Sequence, residues 1–444
     1  MPRRITTCRC WPRPTATAPT AAVEVVVLAF WTEAAAFLLR WLHVVAAIAW
    51  IGESFYFVAL DRGLKPPKQG VQGLFGESWS VHGGGFYLKQ KFLPAPAQLP
   101  AELHWSKWKS YTTWLSGFGL LALTYLLSPD LYLIDRGVAD LSPATAVTAA
   151  IVFLVLTWFL YDLMCKVVGS RDRLLGALVA AMTLALCYVA THLFAGRAAF
   201  LLVGAALATI MSANVFFVII PGQKRMVAAL AKGETPNPLD GANGKQRSVH
   251  NTYFTLPVVF AMLSTHYGTA YAHAHNWIVL AVAMAAAAMI RQFFVLWHSG
   301  ERAWRLLVAG ALVLLGLLFW LSPTVRNDAA AAAVETVSSA NGATMPNGVP
   351  SPAIVLPDAY GEHPDTVAIM PLLHTHCSGC HAARPTLMAS APKNLVYDTP
   401  ELVETYAALI HKQVVELKIM PPGNMTQMTE AERAAIGRWF AARK

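Results

Sequence analysis

Eight stretches of this chain are apolar and long enough to cross a lipid bilayer, and no other feature restricts its fold so tightly. They are Phe37–Leu60, Thr113–Leu127, Ala146–Val168, Leu174–Phe194, Ala198–Ile220, Asn251–Tyr267, Trp277–Trp297 and Trp304–Leu321. In hydrocarbon every backbone N–H and C=O must be satisfied within the chain, so each stretch is expected to be a helix. Charge usage agrees: 13% of the 444 residues are Asp, Glu, Lys or Arg, against about 25% in soluble domains. The expected fold class is all-α: a polytopic α-helical membrane bundle of about eight spans, residues 34–321, carrying a small soluble appendage. Ahead of it lies a basic, Pro- and Thr-rich preamble, residues 1–33, with Cys8 and Cys10. It has no clean apolar core and cleavage site, so no cleaved signal peptide is expected. Within it, Ala22–Ala36 is apolar but interrupted by Glu24 and Glu33, which favours an interfacial helix over a ninth span.

The net charge of +9 is not spread evenly. The loop after the first span carries Arg62, Lys65, Lys68, Lys89, Lys91, Lys107 and Lys109; later alternate loops carry Lys166, Arg171 and Arg173, then Lys224, Arg225, Lys232, Lys245 and Arg247, then Arg302 and Arg305. The intervening loops hold only Arg136 and Arg197. Positive residues stay on the cytoplasmic side, so this pattern places both termini in the periplasm of a bacterial inner-membrane protein. The basic residues thus set topology, and no nucleic-acid partner is implied. Cys165 and Cys187 lie in apolar runs and read as packed thiols.

Beyond the last span, residues 322–360 are rich in Ala, Pro, Gly, Asn and Ser without apolar periodicity, and read as a flexible linker. Then comes Cys377-Ser378-Gly379-Cys380-His381, the C-x-x-C-H attachment sequence for a c-type haem. Cys377 and Cys380 can form thioethers to one haem, and His381 can reach the iron. A zinc or redox Cys pair and a chance match are the alternatives. Met420, ahead of Pro421-Pro422, is the expected second axial ligand, with Met425 and Met428 in reserve. Thr429-x-x-Glu432 is a capping box opening a helix through Trp439, and Thr399-Pro400 opens another running to about Leu417. Residues 361–444 therefore read as a small all-α class I cytochrome c domain. Haem is attached to such domains in the periplasm, which agrees with the loop charges.

Ionisable groups inside apolar spans are costly and mark function. They are His43, Asp162, His192, His250, His266 and His298. The histidines could hydrogen-bond neighbouring helices, ligate a haem b or another metal, or relay protons. The first basic loop is dense in aromatics, His and Gly: Glu77–Tyr87 and His104–Trp114. Rings beside His and Lys suit a flat, anionic heterocycle; an aromatic belt at the membrane surface is the alternative.

These segments carry a resemblance. Arg40-Trp41-Leu42-His43, Ala49-Trp50-Ile51-Gly52, Ser54-Phe55-Tyr56-Phe57, Val81–Tyr87, His104–Trp114, Gln246–Pro257 and Ser264-Thr265-His266-Tyr267 resemble the membrane-bound urate oxidase (urate hydroxylase, PuuD) family. Its members join a urate oxidase N-terminal membrane domain to a C-terminal cytochrome c. Glu53 departs from the pattern, standing where a small residue is expected. The resemblance implies oxidation of urate to 5-hydroxyisourate, with electrons leaving through the c-type haem to a periplasmic cytochrome c or a terminal oxidase. On this reading His82, His104 and His250 are the candidate proton acceptors. Phe86, Tyr87, Trp105, Lys107, Trp108 and Arg247 would bind urate. The alternative is an electron-transfer cytochrome c subunit of a membrane respiratory complex, without substrate chemistry of its own.

Overall fold

The computed structural model describes residues 18–68, 71, 73–93, 95–322, 364–387, 391–392 and 395–443, with side chains from residue 30 onward. Cys8, Cys10 and nearly all of the expected linker lie outside the described residues.

The first helix, α1 (Ala18–Gly63), is longer than the sequence suggests. No Pro or Gly stands between Pro19 and Gly52 to end it, and Glu24 and Glu33 do not break it. The stretch Ala22–Ala36 is therefore continuous with the first span and is not a separate interfacial helix.

An all-α reading misses the hairpin after α1. Strands β1 (Leu74–His82) and β2 (Gly85–Phe92) pair antiparallel, with Val81 opposite Phe86 and His82 opposite Gly85. The turn is Gly83-Gly84, at φ +57° and +81°. Two positive-φ residues make the tight turn whose twist matches a hairpin, and glycine adopts them without strain. Lys65 and Glu77 exchange backbone hydrogen bonds of 2.9 Å and tie the hairpin to the end of α1.

The bundle continues with α2 (Trp108–Leu121), α3 (Pro129–Tyr132), α4 (Pro143–Val168), α5 (Asp172–Leu193) and α6 (Gly196–Ala213). A π-helical segment, Asn214–Ile219, joins α6 to α7 (Ile220–Ala231). Then come α8 (Pro238–Ser264), α9 (Gly268–Tyr271), α10 (Asn276–His298) and α11 (Trp304–Trp320). Prolines at first positions start several of these: Ser142 caps α4 by accepting from the Thr145 N–H, and Asn237 caps α8 by accepting from the Leu239 N–H. Helix α6 is the hub, with Phe200, Leu202, Leu207 and Ile210 fully buried.

Among the described residues, five helical segments are long and apolar enough to cross a membrane: 30–63, 143–168, 172–193, 196–231 and 276–298. Helix α11 is apolar but 17 residues long. The expected spans Thr113–Leu127 and Asn251–Tyr267 fall on α2 with its π-helical end and on α8. Helix α8 begins at Pro238, so Asp240, Lys245 and Arg247 join it and dilute its apolar character.

Short connections make successive long helices antiparallel, so the bundle has two ends. The hairpin, residues 169–171, 232–237 and 299–303 share one end; residues 127–142, 194–195 and 265–275 share the other.

The C-terminal unit has its own core of Ile369, Leu372, Leu373, Val403, Ile410, Ile436 and Trp439. Its helices are α12 (Thr366–Cys377), α13 (Pro400–Thr405), α14 (Ala407–His411) and α15 (Glu430–Ala441). The helix expected from Thr399 to about Leu417 is broken at Tyr406, while the Thr429–Glu432 capping box forms in both directions. The unit sits on the end of the bundle away from the hairpin. Gly423 lies against the Ile134 carbonyl with no room for a Cβ, and Gly268 faces the side chains of Leu417 and Ile419.

Candidate functional site

The end of the bundle that carries the hairpin holds a buried polar network built by α4, the π-helical segment and α8. Arg247 is 4% exposed, and its Nη2 donates to Asp162 Oδ1 at 2.7 Å. Its Nη1 donates to Asn214 Oδ1 at 3.3 Å. Asn214 Nδ2 donates to Asn251 Oδ1 at 2.9 Å and to the Tyr161 hydroxyl at 3.2 Å. Tyr161 Oη and His250 Nδ1 share a hydrogen bond of 2.7 Å. Asn251 Nδ2 closes the network on the Met211 carbonyl at 3.0 Å. The Arg247 guanidinium also lies over the rings of Tyr161 and Trp158.

Sequence dictates this arrangement only partly. Arg247, His250, Asn251 and Phe254 follow one another at helical spacing, so one face of α8 presents them together. Asn214 reaches them from the π-helical segment, and such segments recur at functional sites. Asp162 supplies the carboxylate that answers Arg247, and its other oxygen takes the more exposed Lys166 Nζ at 2.7 Å. The imidazole of His250 is thus tethered through Nδ1, with Nε2 left to exchange a proton.

At the opposite end, a cavity of ≈ 930 Å³ lies between the bundle and the C-terminal unit. The bundle lines it with Tyr132, His192, Arg197, His266 and Tyr271, and the C-terminal unit with Cys377, Cys380, His381, Met420 and Met425. His381 is 9% exposed; its Nδ1 donates to the Leu395 carbonyl at 2.9 Å, and its ring stacks on Tyr397. Burial lowers the pKa of His381, partly offset by that hydrogen bond. Burial, with Cys380 alongside, pushes the Cys377 thiol up to about 12, and burial also raises Cys380. Arg433, itself buried, donates to the Val414 carbonyl at 2.6 Å and the Met420 carbonyl at 2.7 Å and so pins the Met420 loop.

A family model described as urate oxidase N-terminal matches residues 29–322. The chain belongs to the urate oxidase N-terminal family. A search of curated proteins and a search of solved structures each found no match. Membership points to an oxidoreductase acting on urate. The polar network and the hairpin fall inside the urate oxidase N-terminal region, and the C-x-x-C-H segment falls beyond it.

Within the urate oxidase N-terminal region, the residues singled out from sequence separate into groups. His250 and Arg247 meet in the network. His82 stands exposed beside the hairpin turn, and His104 is exposed in the connection to α2. Neither imidazole makes a hydrogen bond among the described residues. Phe86 and Trp108 are largely exposed and Tyr87 about half, while Trp105 is half-buried. Lys107 lies over the Trp108 ring, 5.6 Å from its centroid. Glu53, which departs from the family pattern, takes Lys109 Nζ at 2.6 Å and the Ser106 hydroxyl, and so ties α1 to the start of α2.

The remaining histidines are dispersed. His43 donates through Nδ1 to the Thr113 carbonyl at 2.9 Å, and His192 through Nδ1 to the Tyr188 carbonyl at 2.7 Å. His192 and His266 share the cavity wall, while His298 ends α10 at the hairpin end. No group of three or more His, Cys, Asp or Glu gathers as metal ligands among the described residues. Sequence reasoning did not single out Tyr161, Asn214 or Asn251. The signal was available for the asparagines: a buried amide in an apolar helix needs partners, as an ionisable group does.

Proposed function

We propose that this chain oxidises urate to 5-hydroxyisourate within the membrane domain, and that the electrons leave through a cytochrome c domain formed by the C-terminal unit. The observation that carries this reading is the family match over residues 29–322. The reaction balances as urate plus water giving 5-hydroxyisourate, two protons and two electrons. His250 is the proton acceptor as water adds: its Nδ1 is held by Tyr161, which leaves Nε2 to take the proton. Asp162 and Asn214 hold Arg247 in place beside it. The exposed hairpin aromatics, Phe86 and Tyr87, and the segment Trp105–Trp108 form the approach for a planar purine.

The C-terminal residues fit a covalently held haem c. Cys377, Cys380 and His381 line one cavity with Met420, and His381 uses Nδ1 on Leu395, leaving Nε2 for iron. The cavity lies within the about 300–1,000 Å³ range of cofactor sites. Met425 also lines it, whereas Met428 is packed in the core of the unit and is set aside as a ligand. A haem c bound there supplies one-electron chemistry between urate and a periplasmic cytochrome c or terminal oxidase. We assign His192 and His266 on the cavity wall, with His43 and His298, to a proton relay or to haem b. Acid-acetone extraction, which removes haem b and leaves haem c, separates the two.

The basic loops support an inner-membrane topology with the hairpin end cytoplasmic and the C-terminal unit periplasmic. Reporter fusions near Asn237 and at Lys444 should report opposite sides. The decisive experiment adds urate anaerobically to the purified full chain. Reduction of the c-type haem band with formation of 5-hydroxyisourate is the expected result. A haem reduced by dithionite but never by urate would instead assign the chain to electron transfer within a respiratory complex.

A further inference from the structure

Arg291, on α10, is 2% exposed. Its Nε and Nη2 are buried and have no hydrogen-bond partner among the described residues. Other buried arginines are answered: Arg247 by Asp162 and Asn214, and Arg433 by the carbonyls of Val414 and Met420. For Arg291 the described contact is the ring of Phe55 on α1, its centroid 3.9 Å from the guanidinium carbon. A cation–π contact offsets only part of the cost of taking a guanidinium out of water. The neighbours do not supply the missing negative charge. Tyr253, whose hydroxyl hydrogen-bonds Gln292, lies within electrostatic reach of both Arg62 and Arg291, and His298 lies within reach of Arg291.

A buried, unanswered arginine in an apolar helix calls for an anion. Tyr253 follows His250 by three residues on α8, so the two are neighbours on the helix surface. Arg247 is not free for this role, because Asp162 already balances it. Arg291 stands seven residues inside the end of α10 at His298, a depth of about 10 Å along the axis. That depth suits a small solute better than a lipid phosphate.

We propose that Arg291 receives the urate monoanion, with the Tyr253 hydroxyl and the Gln292 amide as hydrogen-bonding neighbours; this rests on the urate reading above. The planar guanidinium matches a planar, delocalised anion in a way an ammonium does not. Phe55 covers the guanidinium from α1, and Ala46 is the only buried side chain among the described residues of α1. Displacing Phe55 therefore uncovers the site without opening a packed core.

The test is equilibrium dialysis of radiolabelled urate against the full chain in a maltoside detergent, which carries no anion. Arg291→Gln is expected to weaken binding at least about tenfold, as loss of a charged hydrogen bond does, with Arg291→Lys in between. The unfolding temperature of Arg291→Gln without urate should be unchanged or higher, because an uncompensated charge has gone. Equal urate binding by wild type and Arg291→Gln overturns the inference alone. Failure of the wild type to bind urate at all removes both the urate reading and this occupant. Arg291-dependent stabilisation by added phosphatidylglycerol, with urate inert, would assign the guanidinium to a lipid headgroup and overturn the proposal.

Discussion

Asp162 Oδ1 lies 2.7 Å from Arg247 Nη2, and this pair joins α4 to α8 inside the bundle. The side chain of Arg247 is 5% exposed and that of Asp162 is 13% exposed. The pair is therefore largely dry, and its removal by halves is costly.

Asp162→Ala leaves the Arg247 guanidinium buried without its carboxylate. The expected destabilisation is about 3–5 kcal/mol, the usual cost of breaking a buried pair from one side. The double variant Asp162→Leu with Arg247→Met should recover much of it while remaining inactive. Denaturant unfolding of the detergent-solubilised double variant and of Asp162→Leu and Arg247→Met alone measures the coupling; a double loss equal to the sum of the two single losses would show that the pair is not coupled.

His250→Ala removes the imidazole held by Tyr161. Urate-dependent reduction should fall on the order of a hundredfold to ten-thousandfold, the range for loss of a general base. His82→Ala, at the exposed hairpin turn, should cost far less. Stopped-flow turnover of the two variants decides between them, and the reverse order would move the chemistry to the hairpin.

Arg433→Ala strands the carbonyls of Val414 and Met420, which it now satisfies at 2.6 and 2.7 Å. A loss of about 2–4 kcal/mol in the C-terminal unit is expected, since hydrogen bonds to charged groups contribute about 1.5–3 kcal/mol each. Loosening of the Met420 loop should also change the visible spectrum. A variant with wild-type unfolding and spectrum would show that Arg433 does not hold this loop.

Glu432 gives the C-terminal unit an acid-sensitive joint. Burial raises its carboxyl pKa, but hydrogen bonds from the Thr429 N–H and hydroxyl, with His376 nearby, outweigh burial and hold it below the usual value. A depressed carboxyl stabilises the fold above its unfolded pKa of about 4.3, and that stability is lost as pH falls through the lower folded value. Thermal unfolding followed downward from about pH 6 should show this decline, and Glu432→Gln should flatten it. An identical pH profile in the variant counts against the linkage.

The apolar runs determine by themselves that this chain is a helical bundle, because hydrocarbon leaves the backbone of a single span no other way to satisfy its hydrogen bonds. Local chemistry also makes the helix starts at Thr399 and Thr429 readable, since a cap needs only its own next turn. The Gly83-Gly84 turn was equally local, yet the weight of the surrounding apolar helices hid the hairpin. Asp162 and His250 were legible as costly residues, and Arg247 as a basic loop residue. Their pairings were not: Arg247 lies 85 residues from Asp162 and 33 from Asn214 along the chain, and His250 lies 89 from Tyr161. Only packing of α4, the π-helical segment and α8 brings them together. The same holds for Arg291, whose lack of a partner is a property of the packed helices and not of its neighbours in sequence. Periodicity reports which face of a helix is apolar; which faces meet, and which charges they leave unanswered, is decided by tertiary structure.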